Sequence, residues 1–424
     1  MGTEHWVETT LGDLCSIRTG KRDVDEGNPK GKYLFFTCAQ EPTRIDFFEF
    51  SGEAILIAGN GFFNVKYFHG EFNAYQRTYV LQNMKIPIRY LFLFVSFSLD
   101  ILTRDQRGTT IKYIRLGDLQ RHNIPLPPIN EQKRIVEKLD VILPKVKPSK
   151  ERLENISAIL KKFRQSVLAA ACSGKLTAEW RKGKEIVNDF TEESMSDFPY
   201  EIPETWIWIE LDSVSDGFQY GTSSKSDVNG KVPVVRMGNL QNGKIDWSDL
   251  KYSNDKDDIV KYKLQVGDVL FNRTNSPDLV GKTSIFKGEQ EAIFAGYLIK
   301  IRYKKQYLNS DYLNYSLNTV RAGEWCKDVK SDGVNQSNIN AQILASFLVP
   351  LPPLPEQQEI VRRVEKLFAA ADALEEKYQS AMSRVNKIEQ AILAKTFRGE
   401  LAETDPEDEP AEELLKRLLK AKHK

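Results

Sequence analysis

Two stretches of this chain, 225 positions apart, carry one long pattern without a gap. In the second, Ile360, Val364, Leu367, Ala371, Leu374, Tyr378, Ala381, Val385, Ile388 and Ile392 recur at four-then-three spacing. That is the 3.5-residue period of a coiled-coil seam. In the first, the matching positions are Ile135, Leu139, Ile142, Val146, Ser149, Leu153, Ile156, Leu160, Phe163 and Val167, and only Ser149 is not apolar. The lead-ins match as well, Ile124-Pro-Leu-Pro-Pro-Ile-Asn-Glu-Gln132 against Val349-Pro-Leu-Pro-Pro-Leu-Pro-Glu-Gln357. So do the exits, Leu168-Ala169 with Gly174-x-Leu176 against Leu393-Ala394 with Gly399-x-Leu401. Proline suits a first helical turn and glycine a helix end.

A seam of ten positions predicts a helix of about 40 residues, roughly 60 Å long. One apolar stripe needs a partner helix, and the repeat supplies it within the same chain. If the two pair antiparallel, a pseudo-two-fold axis crosses the seam. Pro144 and Pro148 fall inside the first helix, where the second has Ala369 and Ala373. An interior proline costs about 3 kcal/mol, so a kink or two shorter helices are expected there.

The rest of the chain divides around these helices. Residues 1–123 form a first globular head. Tyr33–Thr37, Ala54–Ala58 and Arg77–Leu81 read as strands between glycine- and asparagine-rich turns, and Ile88–Leu102 as a buried helix. Residues 124–177 hold the first long helix and its approach, and 178–204 a polar linker with Pro199 and Pro203. Residues 205–348 form a second head. Trp206-Ile-Trp-Ile209 echoes the opening Trp6-Val7, and Asp332–Gln336 stands 225 positions beyond Arg107-Gly-Thr-Thr110. Residues 349–401 hold the second long helix, and 402–424 a charged tail with a short helix over Glu412–Lys420. The fold class is α+β: two mixed heads separated by two long antiparallel helices.

Composition narrows the function. Of 424 residues, 41% are hydrophobic and 28% charged, as in soluble globular proteins. The cluster Tyr90–Phe97 is too short to cross a bilayer, and no basic-then-apolar leader opens the chain. Cys15, Cys38, Cys172 and Cys326 are scattered, which predicts reduced thiols and a cytoplasmic location. Four dispersed histidines predict no metal site. No enzyme motif survives inspection either. Ser276–Thr283 ends like a phosphate-binding loop, but Ser276 stands where its first glycine belongs and Pro277 lacks an N–H. The chain holds no Asn-Pro-Pro-aromatic adenine-methylase motif; Asn28-Pro29-Lys30 is the nearest. Asp246, Asp249 and Lys251 sit too close together to make a persuasive nuclease set. The chain is predicted to be non-catalytic.

Duplex DNA is the partner with an inherent length scale. Paired DNA readers set half-sites about 34 Å apart, a spacing that a helix pair of roughly 60 Å could hold. Unlike heads imply unlike half-sites. Candidate contacts near predicted turns of the first head are Lys21, Arg22, Arg44, Asn60, Asn64, Gln76, Arg77, Arg107, Thr109 and Lys112. In the second head they are Tyr220, Thr222, Ser223, Ser224, Lys225, Arg236, Asn239, Asn272, Arg273, Asn275, Ser276, Asn335, Gln336, Ser337, Asn338 and Asn340. Arginine and lysine suit guanine edges, asparagine and glutamine suit adenine, and serine, threonine and lysine suit phosphate. Taken singly, polar loop residues are most often just solvated.

The Pro-Leu-Pro-Pro-x-x-Glu-Gln-x-x-Ile-Val entries at 125–136 and 350–361, with the exits Cys172–Thr177 and Thr396–Leu401, resemble the repeated spacers of type I restriction–modification specificity subunits. The resemblance covers the whole layout. It implies two target recognition domains, each reading one half of a split, asymmetric DNA sequence. It implies helices that dock two modification subunits, which carry S-adenosylmethionine and methylate adenine. Restriction subunits, using ATP and Mg, join that core, and this chain itself needs no cofactor. The Pro144/Pro148 pair departs from a straight first helix. Two other readings fit the repeat: a coiled-coil scaffold for protein partners, and the specificity arm of another restriction class. Salt-sensitive binding to duplex DNA separates the scaffold from the others.

Overall fold

Hydrophobic strands and the two long seams sort into two units, residues 1–154 with 379–424 and residues 155–378, so that each long helix contributes to both. The computed structural model describes residues 3–104, 113–185, 190, 198–333 and 336–420.

The first unit is built on a six-stranded sheet. Its strands, in spatial order, are Ser16–Thr19, Thr78–Gln82, Phe50–Ala58, Val65–Ala74, Tyr33–Phe36 and Thr43–Ile45. All neighbours are antiparallel except Tyr33–Phe36 beside Val65–Ala74. Side chains alternate across a strand, and Phe50–Ala58 shows the result. Ile55 and Ile57 point to the core that holds the helix Ile88–Arg104, while Ala54 and Leu56 join Phe36, Phe50 and Phe72 on the other face. Both faces are covered, which is why the run Ala54–Ala58 is wholly apolar. The second unit has smaller sheets. One orders Ser215–Tyr220, Leu298–Tyr303, Val269–Asn272 and Thr283–Ile285, and another orders Lys251–Ser253, Val232–Val235 and Ile293–Phe294. Val269 and Phe271 again face one core and Leu270 another.

The repeat is explicit where each head meets its long helix. Val7–Thr10 pairs antiparallel with Asn123–Leu126, and Ile207–Glu210 with Leu348–Leu351. The proline lead-ins are therefore strands, each ending at a helix entry. At each entry the signature Glu-Gln has a fixed task. Gln132 Nε2 donates to the Pro127 carbonyl and Gln357 Nε2 to the Pro352 carbonyl, both at 2.8 Å. Glu131 accepts the Trp6 indole N–H at 3.1 Å, and Glu356 accepts that of Trp206 at 2.9 Å. Tyr90 Oη donates to Pro125 O at 2.7 Å and Tyr312 Oη to Pro350 O at 2.5 Å. Both carboxylates are buried, and their partners differ. Glu131 meets His5 at 2.7 Å, while Glu356 meets Arg181 and accepts the Thr177 hydroxyl at 2.6 Å.

The long helices are Ile129–Cys172 and Leu354–Phe397, 44 residues each. In both units their halves run antiparallel. Lys138 reaches the Leu401 carbonyl and Lys150 pairs with Glu389 in the first; Arg164 pairs with Asp372 and Arg363 reaches the Leu176 carbonyl in the second. Ile135, Leu139, Leu160, Val167, Ile360 and Val364 are buried. Ile142, Val146, Leu153, Ile156, Leu367, Tyr378, Val385 and Ile392 are half-buried. Phe163, Leu374 and Ile388 are exposed, so the seam is not closed along its whole length. The expectation of two shorter helices is corrected: the first helix runs unbroken through Pro144 and Pro148. The carbonyls those prolines leave without a donor belong to Asp140 and Pro144, both exposed residues, where water can serve them.

Beyond the helices, the stretch read as a linker begins with a short helix, Ala178–Arg181, that delivers Arg181 to Glu356. The tail is not merely charged. Ala411–Lys420 is an amphipathic helix with Ala411 and Leu414 buried, and Arg134 anchors its approach through Asp408 at 2.6 Å. That guanidinium holds the Asp408 carboxyl below the usual range. Phe397 closes the same core, ringed by Phe94, Phe97 and Tyr90 at centroid distances of 5.0, 5.3 and 5.8 Å. Among the described residues no helix is long and apolar enough to cross a membrane.

One difference between the units has a measurable consequence. Asn309 caps the helix Ser310–Leu317, and its backbone N–H donates to Gln357 Oε1 at 2.8 Å. Pro87 holds the same place before Ile88–Arg104, with its carbonyl accepting Leu91 N–H as Asn309 accepts Leu313 N–H. Proline has no N–H, and Gln132 Oε1 is buried with no donor among the described residues. Pro87→Asn should supply both the cap and the donor, each worth about 1 kcal/mol, against about 0.4–1 kcal/mol lost as the unfolded chain becomes freer. A rise of a few degrees in melting temperature is expected. A fall would show that the two capping sites are not equivalent.

Candidate nucleic-acid interface

In the first head the sheet brings several loops to one edge. Gly20 leaves the strand Ser16–Thr19 so close to its neighbour that a Cβ would stand 1.7 Å from the Ala74 carbonyl oxygen. Only glycine permits that approach. Lys21 and Arg22 follow, with Arg22 bridged to Tyr75 and its carbonyl accepting Gln76 N–H at 2.9 Å. Gln76 Nε2 donates to Asp23 at 2.8 Å, and Arg77 O accepts Gly59 N–H at 2.8 Å. Asn60 bridges Tyr113, and Asn64 turns the hairpin by accepting Ala58 N–H at its carbonyl and donating Nδ2 to Cys38 O. Lys21, Arg22, Asn60, Asn64, Gln76 and Arg77 are thus gathered. Arg44 is not among them; it braces the Gly31 and Lys32 carbonyls. Arg107, Thr109 and Lys112 lie outside the described residues.

The second head makes the same edge with other residues. Gly221 repeats the close approach, its Cβ position 2.2 Å from Phe294 O. Thr222 bridges Ala295, and its carbonyl accepts Gly296 N–H at 2.7 Å. Thr274–Asn275 pairs with Ser337–Asn338, which pairs with Ser331–Asp332. Asn338 Nδ2 donates to Thr274 Oγ1 at 2.8 Å, and Gly333 N–H to Gln336 O at 2.8 Å. This convergence collects Tyr220, Thr222, Ser223, Ser224, Lys225, Arg273, Asn275, Ser276, Gln336, Ser337 and Asn338. Asn335 lies outside the described residues.

Several of these have structural duties. Asn272 is fully buried and takes Thr274 N–H on its own amide oxygen. Asn239 is buried, accepts Arg236 N–H and donates to the Asp246 and Asp249 carbonyls. Arg236 is held by Asp249 at 3.0 Å. Thr222 and Ser337 are buried and bond Asp258 and Asp332. Hydrogen bonds from Lys330 and Ser337 hold the Asp332 carboxyl below its usual range. Asn340 caps the helix Ala341–Ala345. Asp246 Oδ1 accepts the Ser248 N–H at 2.9 Å, and Ser276–Thr283 leads into the strand Thr283–Ile285, where a phosphate-binding loop would lead into a helix.

Two aromatics at these edges were not singled out by sequence. Phe62 is 62% exposed on the hairpin tip, and Tyr297 is 51% exposed beside Arg273. The signal lay in their setting, aromatic residues next to turn glycines, Gly61-Phe62 and Gly296-Tyr297. No metal-ligating cluster occurs among the described residues. The four cysteines form no disulfide. Burial pushes the Cys15 and Cys172 thiols up to about 12 and about 11, which makes them poor nucleophiles.

Struts and free polar groups should respond differently to truncation. Asn239→Ala removes three hydrogen bonds from a buried site and should destabilise by about 2–3 kcal/mol. Lys225→Ala should stay within about 0.5 kcal/mol. Thermal unfolding of the two variants checks this, and equal losses would contradict the division.

A family model for the type I restriction modification DNA specificity domain matches residues 3–158 and 203–382, once for each head. The type I restriction enzyme EcoDI specificity subunit of Escherichia coli is 37% identical over 408 residues, 93% of this chain and 88% of that one. The EcoKI specificity subunit of Escherichia coli strain K12 is 36% identical over 299 residues, 69% of this chain and 61% of that one. A solved chain described under complex assembly and conformational transition of the type I restriction–modification system superposes with a TM-score of 0.55 at 20% identity, covering 93% of this chain and 98% of its own. That likeness extends the agreement to the fold. On its repeat, its fold and these relatives, this chain belongs to the type I restriction–modification DNA specificity subunit family.

Proposed function

We propose that this chain is the sequence-reading subunit of a type I restriction–modification complex, with each head reading one half of a bipartite, asymmetric DNA target. The observation that carries the reading is the paired loop edges. Both begin at a glycine where only glycine fits, on the same frame, yet they present different polar side chains. A repeated frame with unlike readers is what an asymmetric split target requires. Lysines and serines there suit phosphate, which positions the duplex, and arginine, asparagine and glutamine suit base edges, which specify it.

In this reading the heads, residues 1–123 and 205–348, are the target recognition domains, and the long helices set the gap between half-sites. The helices also dock the modification subunits. In support, each carries apolar side chains open to solvent: Val141 and Ile159 on the first, 59% and 61% exposed, and Leu374 and Ile388 on the second, 55% and 52% exposed. Exposed apolar residues on a helix face suit a protein partner. Methyl transfer from S-adenosylmethionine, and ATP- and Mg-dependent cleavage by restriction subunits, belong to those partners, and this chain contributes selection without chemistry. It acts in the cytoplasm, where its DNA and partners are.

Duplex binding should weaken steeply with salt, because each neutralised phosphate releases counterion. A chain making several phosphate contacts should lose about two orders of magnitude or more between 50 and 200 mM salt. Exchanging residues 205–348 for the matching head of a relative should alter one half of the methylated sequence and leave the other intact. Binding indifferent to salt, or a swap that rewrites both halves, would refute the assignment.

A further inference from the structure

The second head holds one arginine in a manner that polar-loop composition does not predict. Arg273 follows the strand Val269–Asn272, and its backbone is fixed on both sides. Its N–H donates to Tyr297 O at 3.0 Å, and its carbonyl accepts Ile339 N–H at 2.9 Å. Its guanidinium stacks on the Tyr220 ring, Cζ lying 4.9 Å from the centroid. The ring is itself held, since Tyr220 Oη accepts Ala341 N–H at 3.1 Å. Nη1 donates to the Gly296 carbonyl at 3.4 Å. Nε is buried with no acceptor among the described residues, so the outer end of the fork, Nη2 with the second N–H of Nη1, is the part an incoming group can meet.

A guanidinium set in a plane, with N–H groups of both Nη1 and Nη2 at its outer end, matches a partner with two acceptors side by side. Guanine offers that pair, O6 and N7, on its major-groove edge. A phosphate would accept the same donors in pairs, but exposed Lys225 in a neighbouring loop already supplies mobile charge for phosphate, and a guanidinium fixed against a held ring brings the orientation that base reading requires. Arg236, the other arginine among the second-head candidates, is engaged by the carboxylate and carbonyl of Asp249. We propose that Arg273 reads a guanine in the half-site of the second head, with Tyr220 as the residue that positions it. The proposal rests on the reading of this chain as a DNA sequence reader.

The test is selection of bound duplexes from a library randomised in both half-sites, using the full chain and four variants. Wild type should demand a G·C pair at one position of the second half. Arg273→Ala should lose preference there by about 5- to 150-fold, the discrimination a bidentate arginine provides, with the first half unchanged. Arg273→Lys should be nearly as relaxed, since ammonium lacks the planar fork. Tyr220→Leu should relax the same position in part, and Tyr220→Phe, which keeps the stacked ring, should not. If Arg273→Ala fails to fold, the two tyrosine variants decide alone. Uniform weakening across sequences, with the slope of affinity against salt reduced by about one contact, would make Arg273 a phosphate clamp and overturn the proposal. So would relaxation at an A·T position, or no relaxation at all. A wild-type chain that selects no sequence would instead overturn the reading of function on which this rests.

Discussion

A buried carboxylate bonded to an indole N–H stands at the entrance to each long helix, and both units are arranged around it. Burying a carboxylate is costly unless hydrogen bonds and opposite charge meet it. Here the first helical turn places Glu131 and Glu356 where the helix dipole favours negative charge. The neighbouring glutamine ties the proline lead-in to the helix, and the tryptophan ties in the first strand of the head. A strand, a proline segment and a helix are thereby joined at one point, and that junction orients everything beyond it. The side chain that meets the carboxylate is the part that varies, histidine in one unit and arginine in the other.

Frame and content separate cleanly above that junction. Trp206 follows Trp6 by 200 positions, while Leu348 follows Asn123 by 225, so the second head is 25 residues longer between equivalent anchors. The extra length does not disturb the loop edge. Gly20 and Gly221 make the same close approach, and Arg22 with Tyr75 matches Thr222 with Ala295 as isolated parallel bridges. Backbone geometry is thus shared where side-chain identity is not.

The helices were legible because their period persists over ten positions, and the Ala54–Ala58 part of the strand Phe50–Ala58 because both faces are buried there. Val65–Ala74 was not, although it is the longest strand, 10 residues. Only its last three residues are buried, and Gly70 and His69 interrupt its apolar pattern. The proline pair misled for a related reason: propensity charges each proline about 3 kcal/mol but cannot see that tertiary packing holds the helix on either side. In the interface, composition found the right loops and could not rank the residues within them. Asn239 and Asn272 look like base readers in sequence and serve as struts, because whether an amide faces solvent or a backbone carbonyl depends on a fold that spacing does not encode.

The first unit is discontinuous, and its order of synthesis follows from that. Its core includes Leu393, Phe397 and Leu414 from the end of the chain beside Leu11, Tyr90 and Ile135 from the beginning. The second unit, residues 155–378, is one uninterrupted segment. At about 5–20 residues per second, roughly 13–52 s separate residue 154 from residue 414 on the ribosome. Until residues 379–420 follow, the N-terminal head has no partner helix and no terminal helix to cover its apolar face, while the later unit holds all of its own residues once residue 378 is made. Folding here inverts the usual N-to-C order. Residues made after the second unit complete the first, and the apolar face of the N-terminal head stays uncovered until they emerge.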